Sequence, residues 1–189
     1  VPAQTKSSIS IVGGDFFDLL NPAGNDYDIE VIAHALSRIN RFTGHIEAEF
    51  YSVAEHSVLV SEAVPEKYAL VGLLHDASEA FVGDVASPLK KLLGKAYSDI
   101  EDSIQLEISK RFGLPYPYPE EVHEADKRVY WAERRTVAPG KDTLWHQELR
   151  SSRKVTPVGW PPYEAKLRFL DRFYQLTTVT KELENQNIG

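Results

Sequence analysis

The chain contains no cysteine, which removes disulfides, thiolate zinc sites and a cysteine nucleophile together. A cytoplasmic location fits that composition. No apolar run approaches the roughly 20 residues that span a bilayer, and Val1 to Ser10 lacks the apolar core of a signal peptide. No membrane partner is therefore expected. A surplus of positive charge is missing as well: the net charge of −7 argues against a nucleic acid polymer as partner, which calls for a basic surface. A small anionic ligand stays compatible, because a bound metal and a few cationic side chains reverse the sign locally. Methionine is missing too, even at position 1, so residue types within motifs weigh more than long spacings.

What is present is ordinary globular material. The 189 residues, 42% hydrophobic and 26% charged, suffice for one domain with a real core. Residues 1–27 read as turns around a short strand-like piece, Ile9 to Val12. Asp26 or Asp28 then caps a helix that buries Ile29, Ile32, Ala33 and Leu36 and ends near Asn40. A loop follows through His45, and Glu47 to Tyr51 reads as extended. Helical periodicity resumes from Val53 to about Val64, and Pro65 suits the first position of a helix running into His75. Ser87-Pro88 opens a short helix that Gly94 closes.

Ile100, Ile104, Ile108 and Phe112 mark an amphipathic helix over about 98–112. A proline-rich connector leads to another helix over 120–137. Pro139-Gly140 interrupts, 151–162 reads as loop, and a final helix covers about 164–183. No repeat or linker stands out. The expectation is an all-α single domain over 1–189, with N-terminal turns (1–27), a motif-bearing core (28–137) and a C-terminal extension (138–189).

The chemistry concentrates where apolar helices carry strong ligands. The run Ala69 to Leu74 ends in His75-Asp76, and burying such a pair costs several kcal/mol unless each group has a partner. A divalent cation is the natural partner, since it takes imidazole nitrogen and carboxylate oxygen together. His56 sits in a second apolar helix and Asp126 in a third. Two imidazoles and two carboxylates, His56, His75, Asp76 and Asp126, suit a six-coordinate ion with positions left for water and substrate. Mn, Co, Fe, Ni or Zn is favoured by the imidazoles over Mg. His34, His123 and His146 have no such company, and His45, in a Gly-His loop within reach of the site, reads as a turn residue.

The order His…His-Asp…Asp resembles the HD-domain metal-dependent phosphohydrolases, an all-helical superfamily. Tyr51 to Ser57 (YSVAEHS), His75 to Glu79 (HDASE), Gly83-Asp84 and Pro88-Leu89-Lys90 are similar to the bacterial 5′-deoxynucleotidases and the viral dATP triphosphohydrolases. Arg41-Phe42 stands where the deoxynucleotidases carry an Arg-Trp pair. The resemblance covers about residues 28–137. It implies an HD-domain helical bundle that removes phosphate from a nucleotide, preferably a 5′-deoxynucleoside monophosphate. It also implies Glu79 as the residue that orients or deprotonates the attacking water, with Asp84 assisting proton transfer. Arg41 and Lys90 would meet a phosphate, and Phe42 would pack on a sugar or base. A homodimer is implied as well. Two alternatives are a deoxynucleoside triphosphate triphosphohydrolase and a non-catalytic nucleotide-binding HD module.

Overall fold

The computed structural model describes residues 4–138 and 155–186, and side chains as far as 178. Helices dominate, as expected of an all-α bundle. The helices are α1 (Ile29–Leu36), α2 (Val53–Ala63), α3 (Ala69–Leu74), α4 (Glu79–Val82), α5 (Ser87–Leu93), α6 (Lys95–Arg111), α7 (Glu120–Thr136) and α8 (Pro162–Gln186). One small antiparallel hairpin precedes them, pairing β1 (Ser8–Ser10) with β2 (Phe16–Asp18), with Ile9 opposite Phe17. Among the described residues no helix is long and apolar enough to cross a membrane.

The local signals explain most of these boundaries. The Asp28 carboxylate accepts the Val31 N–H at 3.1 Å and starts α1, and Ser52 Oγ accepts the Glu55 N–H at 3.1 Å to start α2. Four details differ from the sequence expectation. Pro65 opens a 3₁₀ turn (Glu66–Tyr68) rather than α3, which begins at Ala69. The stretch 47–51 is not a strand: the Glu47 N–H donates to the Val137 carbonyl, Tyr51 donates to Asn40 Oδ1 and accepts from the Arg41 N–H, and the isolated bridge Asn40–Ser52 follows. Gly94 both closes α5 and opens α6, at a φ of +70° that glycine tolerates, so α6 starts three residues early. Phe16–Asp18, too short to show a period, supplies the second strand. The expected break at Pro139-Gly140 and the loop at 151–154 lie outside the described residues.

Helix α2 is the hub. Every residue from Val53 to Ser61 is buried, and α1, α3, α7 and α8 all pack on it. On one side lies the larger core, where Val53, Ala54 and Val58 meet Phe17, Leu36, Leu73, Leu74, Ile104 and Phe169. On the other, Leu59 and Val60 meet Tyr51, Val71, Val122 and Val129. A helix buried all round must find partners for its polar side chains. Ser61 Oγ donates to the Ala69 carbonyl at 2.8 Å. Glu55 accepts the N–H groups of Val158, Gly159 and Trp160 at 2.6–3.1 Å, which fastens the segment before α8 onto α2. Gly72 lets α3 approach α2 closely: a Cβ there would stand 3.2 Å from Ser61 Cα and 3.2 Å from Val64 Cγ2.

Candidate metal centre

His56 projects from the second turn of α2, His75 caps the end of α3, Asp76 begins the turn after it, and Asp126 lies on α7. The fold brings these four together. His56 Nε2 is 3.1 Å from Asp126 Oδ1, 3.3 Å from His75 Nε2 and 3.5 Å from Asp76 Oδ2. His75 Nε2 is 3.2 Å from Asp76 Oδ2 and 3.9 Å from Asp126 Oδ1. Neighbouring donors on one ion with bonds of about 2.1 Å stand roughly 3.0–3.4 Å apart in octahedral or tetrahedral geometry. The donor atoms of His56, His75 and Asp126 lie within 4.8 Å of one another, and Asp76 borders both imidazoles. These residues could hold a divalent ion.

The imidazoles are oriented from behind. His56 Nδ1 is 2.6 Å from Glu133 Oε1, and His75 Nδ1 donates to the Gly72 carbonyl at 2.8 Å, which leaves both Nε2 atoms facing the centre. Glu133 is fully buried, and Arg41 Nη2 donates to its other oxygen at 3.0 Å. Arg41 Nη1 also stands 3.8 Å from Asp76 Oδ2. The turn bearing His75-Asp76 is held by Gln105 of α6, whose Oε1 accepts the Ser78 N–H at 2.8 Å while Nε2 donates to the Leu74 carbonyl at 2.9 Å. The site opens at its carboxylates: the Asp126 side chain is 42% exposed and that of Asp76 25%, against none for His56.

Electrostatics follow from this packing. Burial and the Arg41 charge oppose protonation of His56, yet Glu133 and Asp126 outweigh them and push its pKa up to about 10. Burial likewise opposes charge on His75, but Asp76 and Asp126 raise its pKa. Against the cost of burial, His75, His56 and Arg41 hold Asp76 well below the carboxylate range. Arg41 and His56 also lower the pKa of Glu133 against its burial.

Glu79, at the start of α4, behaves oppositely. Burial, then the charges of Asp76 and Asp84, raise its pKa well above the ordinary value. Its Oε2 is buried without a hydrogen-bond partner among the described residues, and Oε1 is 3.7 Å from Lys90 Nζ. Asp84 is also raised, by burial, within the fields of Arg41, Asp76 and Lys90.

The residues expected to touch substrate sit beside this cluster with partners of their own. Lys90 Nζ donates to Glu101 at 2.6 Å. Phe42 lies under the Arg41 guanidinium, 5.5 Å from its ring centre, and 6.0 Å from the Tyr130 ring. Phe42 and Thr43 hold φ values of +55° and +54°, an uncommon conformation for non-glycine residues that marks a constrained turn next to the site. Sequence reasoning missed Glu133, Gln105 and the anchoring role of Glu55. Glu133 had one signal: it lies seven residues after Asp126, on the same face of α7.

Fold and site together define an all-α protein with a candidate divalent-metal centre. The chain is 34% identical to the uncharacterized protein YfdR of Escherichia coli K12 over 168 residues, which cover 88% of this chain and 92% of YfdR. It is also 38% identical over 125 residues to the uncharacterized protein RCAP_rcc00048 of Rhodobacter capsulatus, covering 62% of this chain and 64% of that protein. No family model matches. The chain belongs to the family of YfdR.

Proposed function

We propose that the chain is a metal-dependent phosphohydrolase of the HD-domain type that releases orthophosphate from 5′-deoxynucleoside monophosphates. The observation that carries this reading is the convergence of His56, His75, Asp76 and Asp126 on one point, with two proton-hungry carboxyl groups, Glu79 and Asp84, beside it. The deoxynucleotide preference rests on the resemblance of the surrounding motifs. When bound, a divalent ion supplies Lewis acidity toward a phosphoryl oxygen and acidifies water.

The chain's own residues do the rest. With the positive charge of a bound ion beside it, Glu79 would stand ionised and take the proton of the attacking water as the new O–P bond forms. Asp84 delivers a proton to the departing 5′-oxygen as the old P–O bond breaks, so the alcohol leaves neutral. Lys90 lends its charge to this edge of the site through Glu79. Arg41 keeps Glu133 and Asp76 in place and faces the phosphate with the remainder of its charge. Phe42 and Tyr130 offer a hydrophobic wall for the nucleoside.

A monophosphate suits the site better than a triphosphate. The cations acting on Glu79 and Asp84 include Arg41 and Lys90, and both already serve carboxylates. A triphosphate brings more negative charge than two committed cations offset.

Phosphorus-31 NMR of products tests this, with deoxynucleoside mono- and triphosphates and added Mn, Co or Mg. Orthophosphate from monophosphates is the expected outcome. Tripolyphosphate from triphosphates would move the chain to the triphosphohydrolase class. Nucleotide binding without release under any metal would make it a binding module.

A further inference from the structure

A second concavity, of about 680 Å³, opens between α2, α7 and α8, and none of the residues of the metal centre lines it. Its volume is that of sites for small organic ligands. Val58 and Leu59 of α2 form an apolar wall, and three guanidinium groups, Arg128, Arg168 and Arg172, face the space. Among the described residues, Glu62 and Asp171 add carboxylates to the lining, and Glu164 and Glu66 stand beside Arg168 (2.7 Å) and Arg172 (3.7 Å).

Two of these arginines are fixed from behind. Arg128 Nη2 donates to the Ala63 carbonyl at 2.6 Å, and Arg172 donates through Nε to Ser61 Oγ at 3.0 Å and through Nη2 to the Ser61 carbonyl at 3.3 Å. These bonds satisfy carbonyls at the C-terminal end of α2. They also hold the guanidinium planes still, while Nη1 of each makes no hydrogen bond among the described residues. Arg168 lies over the Trp160 ring at 4.5 Å, with Nε and Nη2 held by Glu164 Oε1 at 2.8 and 2.7 Å, which fixes the guanidinium plane with its other face available for stacking.

We propose that this cavity is a binding site for a phosphorylated heterocycle of mononucleotide size, separate from the metal centre. Arg128 and Arg172 grip the phosphate with their Nη1 groups, as paired guanidiniums grip oxyanions. The ring stacks on Arg168 and rests against Val58 and Leu59. This inference does not depend on the phosphohydrolase reading, since it uses none of the same side chains.

Isothermal titration of the full chain in EDTA, with adenosine 5′-monophosphate as probe and inorganic phosphate as control, tests it. The expected result is saturable binding of the nucleotide, tighter than phosphate. Arg168→Glu, at an exposed side chain whose pair with Glu164 is also lost, should weaken binding by at least about tenfold, the scale of one charge-assisted contact, with a thermal melt confirming that the variant is folded. Arg172→Gln should do the same, and His75→Ala should leave the affinity unchanged. Failure to bind would overturn the proposal, as would binding indifferent to Arg168→Glu. Loss of binding in His75→Ala would place the nucleotide at the metal centre instead. Phosphate binding as tightly as the nucleotide would remove the ring from the proposal.

Discussion

Glu133→Gln isolates what the carboxylate behind His56 contributes. Glutamine keeps the shape and can still accept the His56 Nδ1–H through its amide oxygen, so the change removes a charge while preserving the contact now 2.6 Å long. Loss of a carboxylate supporting a metal-binding imidazole lowers metal affinity by about 10–100-fold, or roughly 1.4–2.8 kcal/mol. A second cost falls on the fold. Among the described residues, Arg41 would be left buried with Asp76, 3.8 Å away, as its nearest charged partner. Breaking a buried pair from one side costs about 3–5 kcal/mol, and Asp76 should hold the loss to the lower end. The assay is calorimetric titration with Mn or Co, alongside thermal melts with and without metal. Expected are a weaker Kd, a lower Tm, and a smaller metal-induced rise in Tm. A folded Glu133→Gln protein whose Kd stays within about twofold of wild type would refute the supporting role.

Other perturbations act on different parts of the same framework. Glu79→Gln should retain metal, by calorimetry, while turnover falls by about 100-fold or more, as for loss of a general base; preserved turnover would remove Glu79 from the mechanism. Metal affinity should climb with pH, approaching about 100-fold per unit where both imidazoles are protonated, and proton release on metal addition, measured in buffers of different ionisation enthalpy, checks it. In the metal-free protein, the raised pKa of His56 stabilises the fold fully below its ordinary value near 6.5 and is lost as pH rises through about 10. Denaturant melts under EDTA between those limits should show that decline. Glu55→Ala strands the N–H groups of Val158, Gly159 and Trp160 and should cost about 3 kcal/mol, read by denaturant melts. Gly72→Ala forces a methyl against Ser61 and Val64 at 3.2 Å, costing about 1–3 kcal/mol. Because the Gly72 carbonyl orients His75, Gly72→Ala should also weaken metal binding, whereas a change confined to packing would lower Tm alone.

The four candidate ligands were legible because each broke an apolar helical pattern with a side chain that needs a partner. His75-Asp76 after Ala69 to Leu74 is the plainest case, and the fold does collect all four. Their supports were hidden. Glu133 sits between Ala132 and Arg134-Arg135 and reads as one more acid on a charged helix, until α7 turns that face into the core. Glu55 follows Ser52 at capping-box spacing, and its first function in that pattern would be local. The structure instead spends its carboxylate on backbone more than a hundred residues away. Arg41 shows the same limit: a guanidinium beside an aromatic ring suggests a phosphate, and no local signal announces a carboxylate on α7. Long-range partners escape a reading built from short spacings. The misplaced starts of α3 and α6 are of another kind, because proline and glycine signal that a helix begins nearby without saying whether a 3₁₀ turn comes first.

Charge balance explains why this cluster can exist in a protein interior. Asp76, Asp126 and Glu133 are held ionised, and Arg41 offsets one of them, which leaves two negative charges to neutralise. Protons on His56 and His75 can supply that charge, and the raised pKa of each is the sign that they do. A divalent ion can supply it as well, but only by binding neutral imidazoles, so one ion replaces two protons and the total is unchanged. Glu79 and Asp84 fall outside this balance. The cations near them are shared, Lys90 with Glu101 and Arg41 with Glu133, so burial and the neighbouring acids outweigh these charges and raise proton affinity. The site thus divides five carboxylates by environment: three are kept charged to build the centre, and two are left hungry for protons at its edge. Carboxyl groups with raised proton affinity beside a metal-ligand cluster are the arrangement that the proposed hydrolytic role calls for.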